Sequence, residues 1–226
     1  TAGNIPSRGV SGDFFKVELR HDESEIVLML SDVSGKGIGA ALLTASLEAL
    51  SAGPIHDGIP PEDIFRSVSH LLFDRTPPEK YATSFMAAVN PQTGALRYCN
   101  AGHNPALLLG ANGDIEWLES TGMPLGILPK GEFTAEERTI ETNDTLVLYT
   151  DGITEPENPE EEEYGQDRLA AVCVKNRSEP LGEMMAAIEA YRRDAVARYE
   201  PPAVDQEKLG AAKELLHRAD VELRNC

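Results

Sequence analysis

Cysteine is scarce: Cys99, Cys173 and Cys226 are the only three in 226 residues. They are odd in number, far apart and outside any CxxC or Cys/His spacing, so neither a disulfide framework nor a zinc site is indicated. A reducing cytoplasm is the expected compartment. Basic residues are also few, with 20 Lys and Arg against 38 Asp and Glu and a formal charge of −18. So acidic a chain repels a nucleic-acid backbone or an anionic membrane surface, and suits a basic partner or bound cations. No apolar run approaches the ~20 residues that span a bilayer, so no membrane span is expected in this chain. The opening Thr1-Ala2-Gly3-Asn4 is neither a signal peptide nor an initiating Met, as in a piece cut from something longer. No GxSxG elbow occurs, and Ser31 and Ser34 lack a convincing Ser/His/Asp order, which argues against hydrolysis through an acyl-serine. Ser34-Gly35-Lys36-Gly37 is not a phosphate-binding loop, because that pattern needs Gly where Leu30 stands and Ser or Thr where Gly37 stands.

What is present is a set of short, well-punctuated apolar segments in a chain long enough for one domain, or one domain plus an appendage. Glu25–Leu30 and Thr145–Tyr149 are nearly continuous apolar runs, as expected of strands buried on both faces. Between them Ile38–Leu50 reads as a helix with Leu42, Leu43, Ala45, Leu47 and Leu50 at its apolar positions, stopped by Gly53-Pro54. Pro60-Pro61-Glu62-Asp63 opens a second helix carrying Ile64, Val68, Leu71 and Leu72, which fades near Thr76. Phe85–Val89, Leu96–Tyr98, Ala106–Leu109 and Ile115–Leu118 follow as an antiparallel meander separated by turn compositions. Phe133–Ile140 adds a strand, and Arg168–Val174 and Leu181–Val196 are later helices, the second with Met184, Met185, Ile188 and Tyr191 on one face. Glu155–Glu163 reads as a solvated acidic loop. The layout is α/β with strands grouped between helices.

Both core runs end alike: Ser31-Asp32 after the first and Thr150-Asp151-Gly152 after the second. Aspartates at the ends of buried strands converge on one sheet edge, where their charge needs compensation. With Asp13 of Val10-Ser11-Gly12-Asp13 they form a plausible carboxylate cluster for one or two hard cations such as Mg²⁺ or Mn²⁺. Paired metals suit hydrolysis without a nucleophilic side chain: a water made more acidic by the cations attacks phosphorus in line. Any one of these aspartates, taken singly, is more readily a turn residue. His103 lies in a turn with no second ligand at metal spacing and reads as a loop-fixing hydrogen-bond residue.

Ser11-Gly12-Asp13-Phe14-Phe15, Asp32-Val33-Ser34-Gly35-Lys36-Gly37 and Tyr149-Thr150-Asp151-Gly152-Ile153-Thr154-Glu155 resemble, in order and spacing, the motifs of bacterial SpoIIE/RsbU-type PPM (PP2C-like) serine/threonine phosphatases. Asn100-Ala101-Gly102-His103-Asn104-Pro105 and Gly122-Met123-Pro124-Leu125-Gly126 resemble two further segments, so the similarity runs from about residue 5 to about residue 198. The resemblance implies an α+β fold, an αββα sandwich of two mainly antiparallel sheets flanked by helices, with two Mn²⁺ or Mg²⁺ ions. By that analogy Asp32 bridges both ions, the Val33 carbonyl also binds, Asp151 holds one ion, and Asp13 serves the other directly or through water. It implies a phosphorylated regulatory protein as substrate, of the anti-sigma-factor antagonist type, and an upstream sensor or regulatory domain. Oligomeric state is left open, a homodimer included. Residues 38–74 are the candidate regulatory switch, with ordinary core packing as the alternative. Lys36 and Arg8 are candidates for facing the substrate phosphate; an exposed lysine in a Gly-rich turn is more often simply solvated, and for Arg8 that alternative is equally strong.

The domain so defined covers residues 1–198, with 199–226 an atypical tail. Family members usually finish with an Asp-Asp-x-Thr segment entering a last apolar strand, whose first acid completes the metal site. Here the nearest candidate is Pro202-Ala203-Val204-Asp205-Gln206-Glu207, with Val204 at the ligand position or Asp205 in a shifted register. Gln206–Leu223 then carries Leu209, Ala212, Leu215, Leu216, Ala219 and Leu223 at helical spacing. Losing one carboxylate should weaken an ion rather than abolish binding. A catalytically silent phosphatase fold acting as an interaction module is therefore the rival expectation.

Overall fold

The computed structural model describes residues 1–3, 12–20, 23–35, 37–77, 79–157 and 163–197. Arg8, Lys36 and the tail 199–226 lie outside the described residues. In chain order the elements are β1 (Phe14–Leu19), β2 (Ile26–Val33), α1 (Ile38–His56), α2 (Pro61–Arg75), β3 (Ala82–Val89), β4 (Ala95–Ala101), β5 (Ala106–Leu109), β6 (Ile115–Leu118), β7 (Glu136–Thr139), β8 (Thr145–Val147), α3 (Asp151–Thr154), α4 (Gly165–Lys175) and α5 (Leu181–Ala197).

Two antiparallel sheets, ordered β1-β2-β3-β4-β7 and β6-β5-β8, face one another. The period-2 alternation of β2 explains how one strand serves two layers. Val27, Met29 and Val33 point to the helix side, where they pack with Leu43, Leu47 and Ile55 of α1 and Ile64, Phe65, Val68 and Leu72 of α2. The inter-sheet core is built from Phe85, Leu96 and Tyr98 on one side and Leu108 and Leu118 on the other. On the far side Leu107, Leu109 and Tyr149 meet Leu169 and Cys173 of α4 and Met184 of α5. The layers are helix, sheet, sheet, helix: an α+β sandwich.

The expected meander is split between the sheets. β3 and β4 form one hairpin and β5 and β6 another, but β4 takes β7 as its second neighbour and β5 takes β8. The chain crosses between sheets at Gly102–Pro105, where Gly102 has a φ of +67° and the Pro124 ring lies against the space a Cβ would fill. Only glycine meets both conditions without strain. A strand at 14–19 and the single turn of α3 are additions to the sequence reading.

α1 runs on through Pro54 instead of stopping before it. Pro54 has no N–H to give to Leu50, yet Ile55 is fully buried and fixes the last turn in the core. Of the five apolar positions expected to pack on α1, Leu43 and Leu47 are buried, while Leu42 and Leu50 are exposed at 65% and 37%. With so few charges, α1 is by length and composition alone long and apolar enough to cross a membrane, which corrects the reading that no run in the chain approaches that length.

Candidate metal centre

Strand register sets the site. Phe14 pairs with Ser31 in the β1–β2 ladder, so Asp13, just before β1, and Asp32, near the end of β2, come together at the same end of the sheet. Asp32 lies opposite Thr83 and Val33 opposite Ala82 in the β2–β3 ladder. From the second sheet the chain leaves β8 through Leu148–Thr150 and turns into α3, with Thr150 at its N-cap and Asp151 as first helical residue. Thr150 Oγ1 donates to Asp13 Oδ2 at 3.1 Å, joining the two sheet ends.

Gly12 sits in a crowded place. A Cβ there would lie 3.0 Å from the Val33 carbonyl oxygen, 3.6 Å from Asp32 Oδ1 and 3.7 Å from Ala40 Cβ. Its own carbonyl accepts from Thr44 Oγ1 of α1 at 2.8 Å, so the first helix holds the loop that presents Asp13.

The electrostatics show three carboxylates in mutual conflict. Asp32 is pushed up from 3.8 to about 7, first by burial, then by a hydrogen bond with the Asp13 carboxyl, then by the charges of Asp13 and Asp151; a bond from the Val33 amide opposes the rise only in part. The Asp13–Asp32 hydrogen bond needs a shared proton, and a cation would hold the same two groups together without one. Glu155, one turn after Asp151, is also pushed up, by partial burial and by the charges of Asp151 and Glu163. A cavity of about 410 Å³ is lined by Asp32, Ser34, Thr83, His103, Asp151 and Glu155. A larger cavity of about 560 Å³ lies between β1–β2 and β8–α5; it is mainly apolar and meets the cluster only around Asp13 and Thr150, so the chemistry belongs to the smaller one.

His103, 5% exposed, uses both ring nitrogens: Nδ1 lies 2.8 Å from Thr83 Oγ1 and Nε2 lies 3.1 Å from the Tyr149 carbonyl oxygen. Burial depresses it from 6.5 to about 4, against smaller opposing effects of Tyr149 and Asp13. At neutral pH it is an uncharged imidazole, far too weak an acid in that form to serve as a general acid.

Sequence reasoning singled out Asp13, Asp32, Val33 and Asp151, and the structure brings them to one place. It did not find Thr83, Thr150 or Glu155 as neighbours of the site, although the shared hydroxyl-then-aspartate ending pointed at Thr150. Lys80 was also missed: its ammonium lies 3.4 Å from the Ser34 carbonyl, against Gly35. Among the described residues, no three His, Cys, Asp or Glu side chains yet stand at metal-ligand spacing. What fits a hard divalent cation is the donor chemistry: carboxylates and a carbonyl, all oxygen.

Comparison with solved structures defines the class first. The SiaA-PP2C domain of Pseudomonas aeruginosa superposes with a TM-score of 0.76 at 19% identity, over 88% of this chain and 79% of that one. RsbX in complex with magnesium gives 0.65 at 17%, over 84% of each chain. The fold is the PP2C-type phosphatase fold. The family model for Stage II sporulation protein E (SpoIIE) matches residues 22–200, and the chain belongs to that family. Phosphoserine phosphatase RsbU of Bacillus subtilis is 27% identical over 153 residues, covering 67% of this chain and 45% of the relative. The chain spans between 30% and 45% of the relatives it matches.

Proposed function

We propose that this chain is a metal-dependent protein phosphatase that hydrolyses phosphoserine or phosphothreonine on a regulatory protein of the anti-sigma-factor antagonist type. The observation that carries this reading is the meeting of Asp13, Asp32 and Asp151 from two sheets, with Asp32 pushed up to about 7 by burial and then by its acidic neighbours. A relative named as a phosphoserine phosphatase supports the substrate class, and a fold neighbour in complex with magnesium supports the cation.

Asp13, Asp32, Asp151 and the Val33 carbonyl would hold Mn²⁺ or Mg²⁺, two ions in the proposed arrangement. When bound, the cations would acidify a water and offset charge on the phosphoryl oxygens. The chain's own residues do the rest. A phosphorylated side chain would enter the cavity beside Ser34, with Lys80 near that residue's carbonyl, and Arg8 and Lys36, outside the described residues, as further candidate cations for its phosphate. Thr150 orients Asp13, and Gly12 lets the loop approach. In the reaction a bond forms between water oxygen and phosphorus, the bond from phosphorus to the seryl or threonyl oxygen breaks, and that oxygen leaves as a hydroxyl, taking by way of solvent the proton that the attacking water gives up. The products are the unmodified side chain and inorganic phosphate. The proton does not come from His103, which is neutral and engaged at both nitrogens. A cytoplasmic setting and an upstream sensor or regulatory domain complete the proposal.

The purified chain with Mn²⁺ is expected to release phosphate from a phosphoserine protein or a generic aryl phosphate, and Asp32→Ala to abolish release. A folded protein that releases none with Mn²⁺ or Mg²⁺ overturns the reading. That outcome would favour the second one, a silent phosphatase fold that binds a partner. The observation behind it is the absence of an Asp-Asp-x-Thr segment, with Asp205 outside the described residues. Partner affinity surviving Asp32→Ala, with no Mn²⁺ binding by calorimetry, is its signature.

A further inference from the structure

We infer that His103 is a positioning residue: its neutral imidazole is a strut that sets the spacing between the two sheets' aspartates, and with it the affinity of the centre for its cation. The kind of cation rests on the phosphatase reading; the strut itself does not.

Asp13 and Asp32 belong to the edge of the five-stranded sheet, whereas Asp151 follows β8 of the three-stranded sheet. Their separation is therefore a property of how the two sheets are joined. His103 stands on the β4–β5 crossover, the segment that changes sheets, and its backbone N–H donates to Asn100 Oδ1 at 2.8 Å. The ring is thus anchored from its own main chain before its side-chain bonds are counted.

Those bonds have one consistent protonation pattern. A carbonyl oxygen only accepts, so Nε2 carries the proton and donates to Tyr149 at 3.1 Å; Nδ1 then accepts from the Thr83 hydroxyl at 2.8 Å. Thr83 is the ladder partner of Asp32, and Tyr149 is two residues before Asp151. One rigid ring therefore bridges the ladder partner of Asp32 and a residue two positions before Asp151, and it lines the same cavity as both aspartates. A histidine kept only to satisfy the core would not need partners that each sit beside a different acid. Residues that orient a cation's ligands in this way are typically worth about 10- to 100-fold in affinity.

Two substitutions separate the strut from plain packing. His103→Gln extends an amide toward the Nε2 position and retains the Tyr149 link; His103→Asn places its amide near Nδ1 and loses that link. Mn²⁺ titration of the full chain by calorimetry is expected to show binding about 10- to 100-fold weaker for both His103→Asn and His103→Gln, since each keeps only one end of the bridge. Thr83→Val, which removes the hydroxyl that meets Nδ1, should weaken binding in the same way, and Thr83→Ser, which keeps it, should bind as the wild type does. Phosphate release should show kcat falling with KM for the phosphopeptide unchanged. Crystal structures of wild type and His103→Asn without metal should show a changed Asp32–Asp151 separation. If His103→Asn stays folded and binds Mn²⁺ as the wild type does, the strut is refuted. If the wild type binds no Mn²⁺, the phosphatase reading fails, and the crystallographic separation decides on the strut alone: an unchanged distance refutes it.

Discussion

Asp32 is the residue at which function and stability pull apart. Its folded value of about 7 lies above the unfolded 3.8, so the unfolded chain gives up that proton at lower pH. The stability this group contributes in the metal-free protein is complete below about 3.8 and is lost as pH rises through about 7. Asp32→Asn removes the titration. The metal-free variant should melt above the wild type at pH 8, and the difference should vanish near pH 4, read by thermal scans across that range. His103 works in the opposite direction, since its depressed value makes stability rise with pH between about 4 and 6.5, but it is common to both proteins and cancels in the difference. A melting difference independent of pH would contradict the raised value of Asp32. The aspartates were legible because the sequence marks strand ends, and a charged residue directly after a buried run has few explanations. Thr83 was not legible, because nothing in a local pattern says which residue of another strand will pair with Asp32. Lys80 was hidden for the same reason: it reaches Ser34 across 46 positions of sequence.

Helix α1 shows what local patterning reaches and where it stops. Its existence follows from composition and its start from Gly37, but the choice of buried face did not. Leu42, Leu43, Ala45, Leu47 and Leu50 are all apolar, and only the sheet beneath selects Leu43 and Leu47. Leu47 is fully buried against the first sheet, and Leu47→Ala should cost about 2–5 kcal/mol in urea or guanidinium unfolding. Leu42, 65% exposed on the same helix, should lose no more than about 0.5 kcal/mol on the same change. Equal losses would mean that the helix packs on a different face. The strands were legible in kind but not in partner: β4 and β5 are neighbours in sequence yet lie in different sheets. Turn composition marks that a chain reverses and does not say which sheet it joins; here a left-handed Gly102 and the packed Pro124 decide it.

For the molecule as a whole, a charge of −18 on 226 residues makes cations its natural company. The αββα layering places two sheet edges so that acids from both face one cavity, and a divalent ion there would relieve the repulsion that now burdens Asp32. The most direct measurement is a calorimetric Mn²⁺ titration of the full chain beside Asp13→Asn, Asp32→Asn and Asp151→Asn, each first shown to be folded. Saturable binding by the wild type, strongly weakened or lost in all three variants, is the expected result. Binding that survives all three substitutions, or no binding by the folded wild type, would contradict a single centre built from these aspartates.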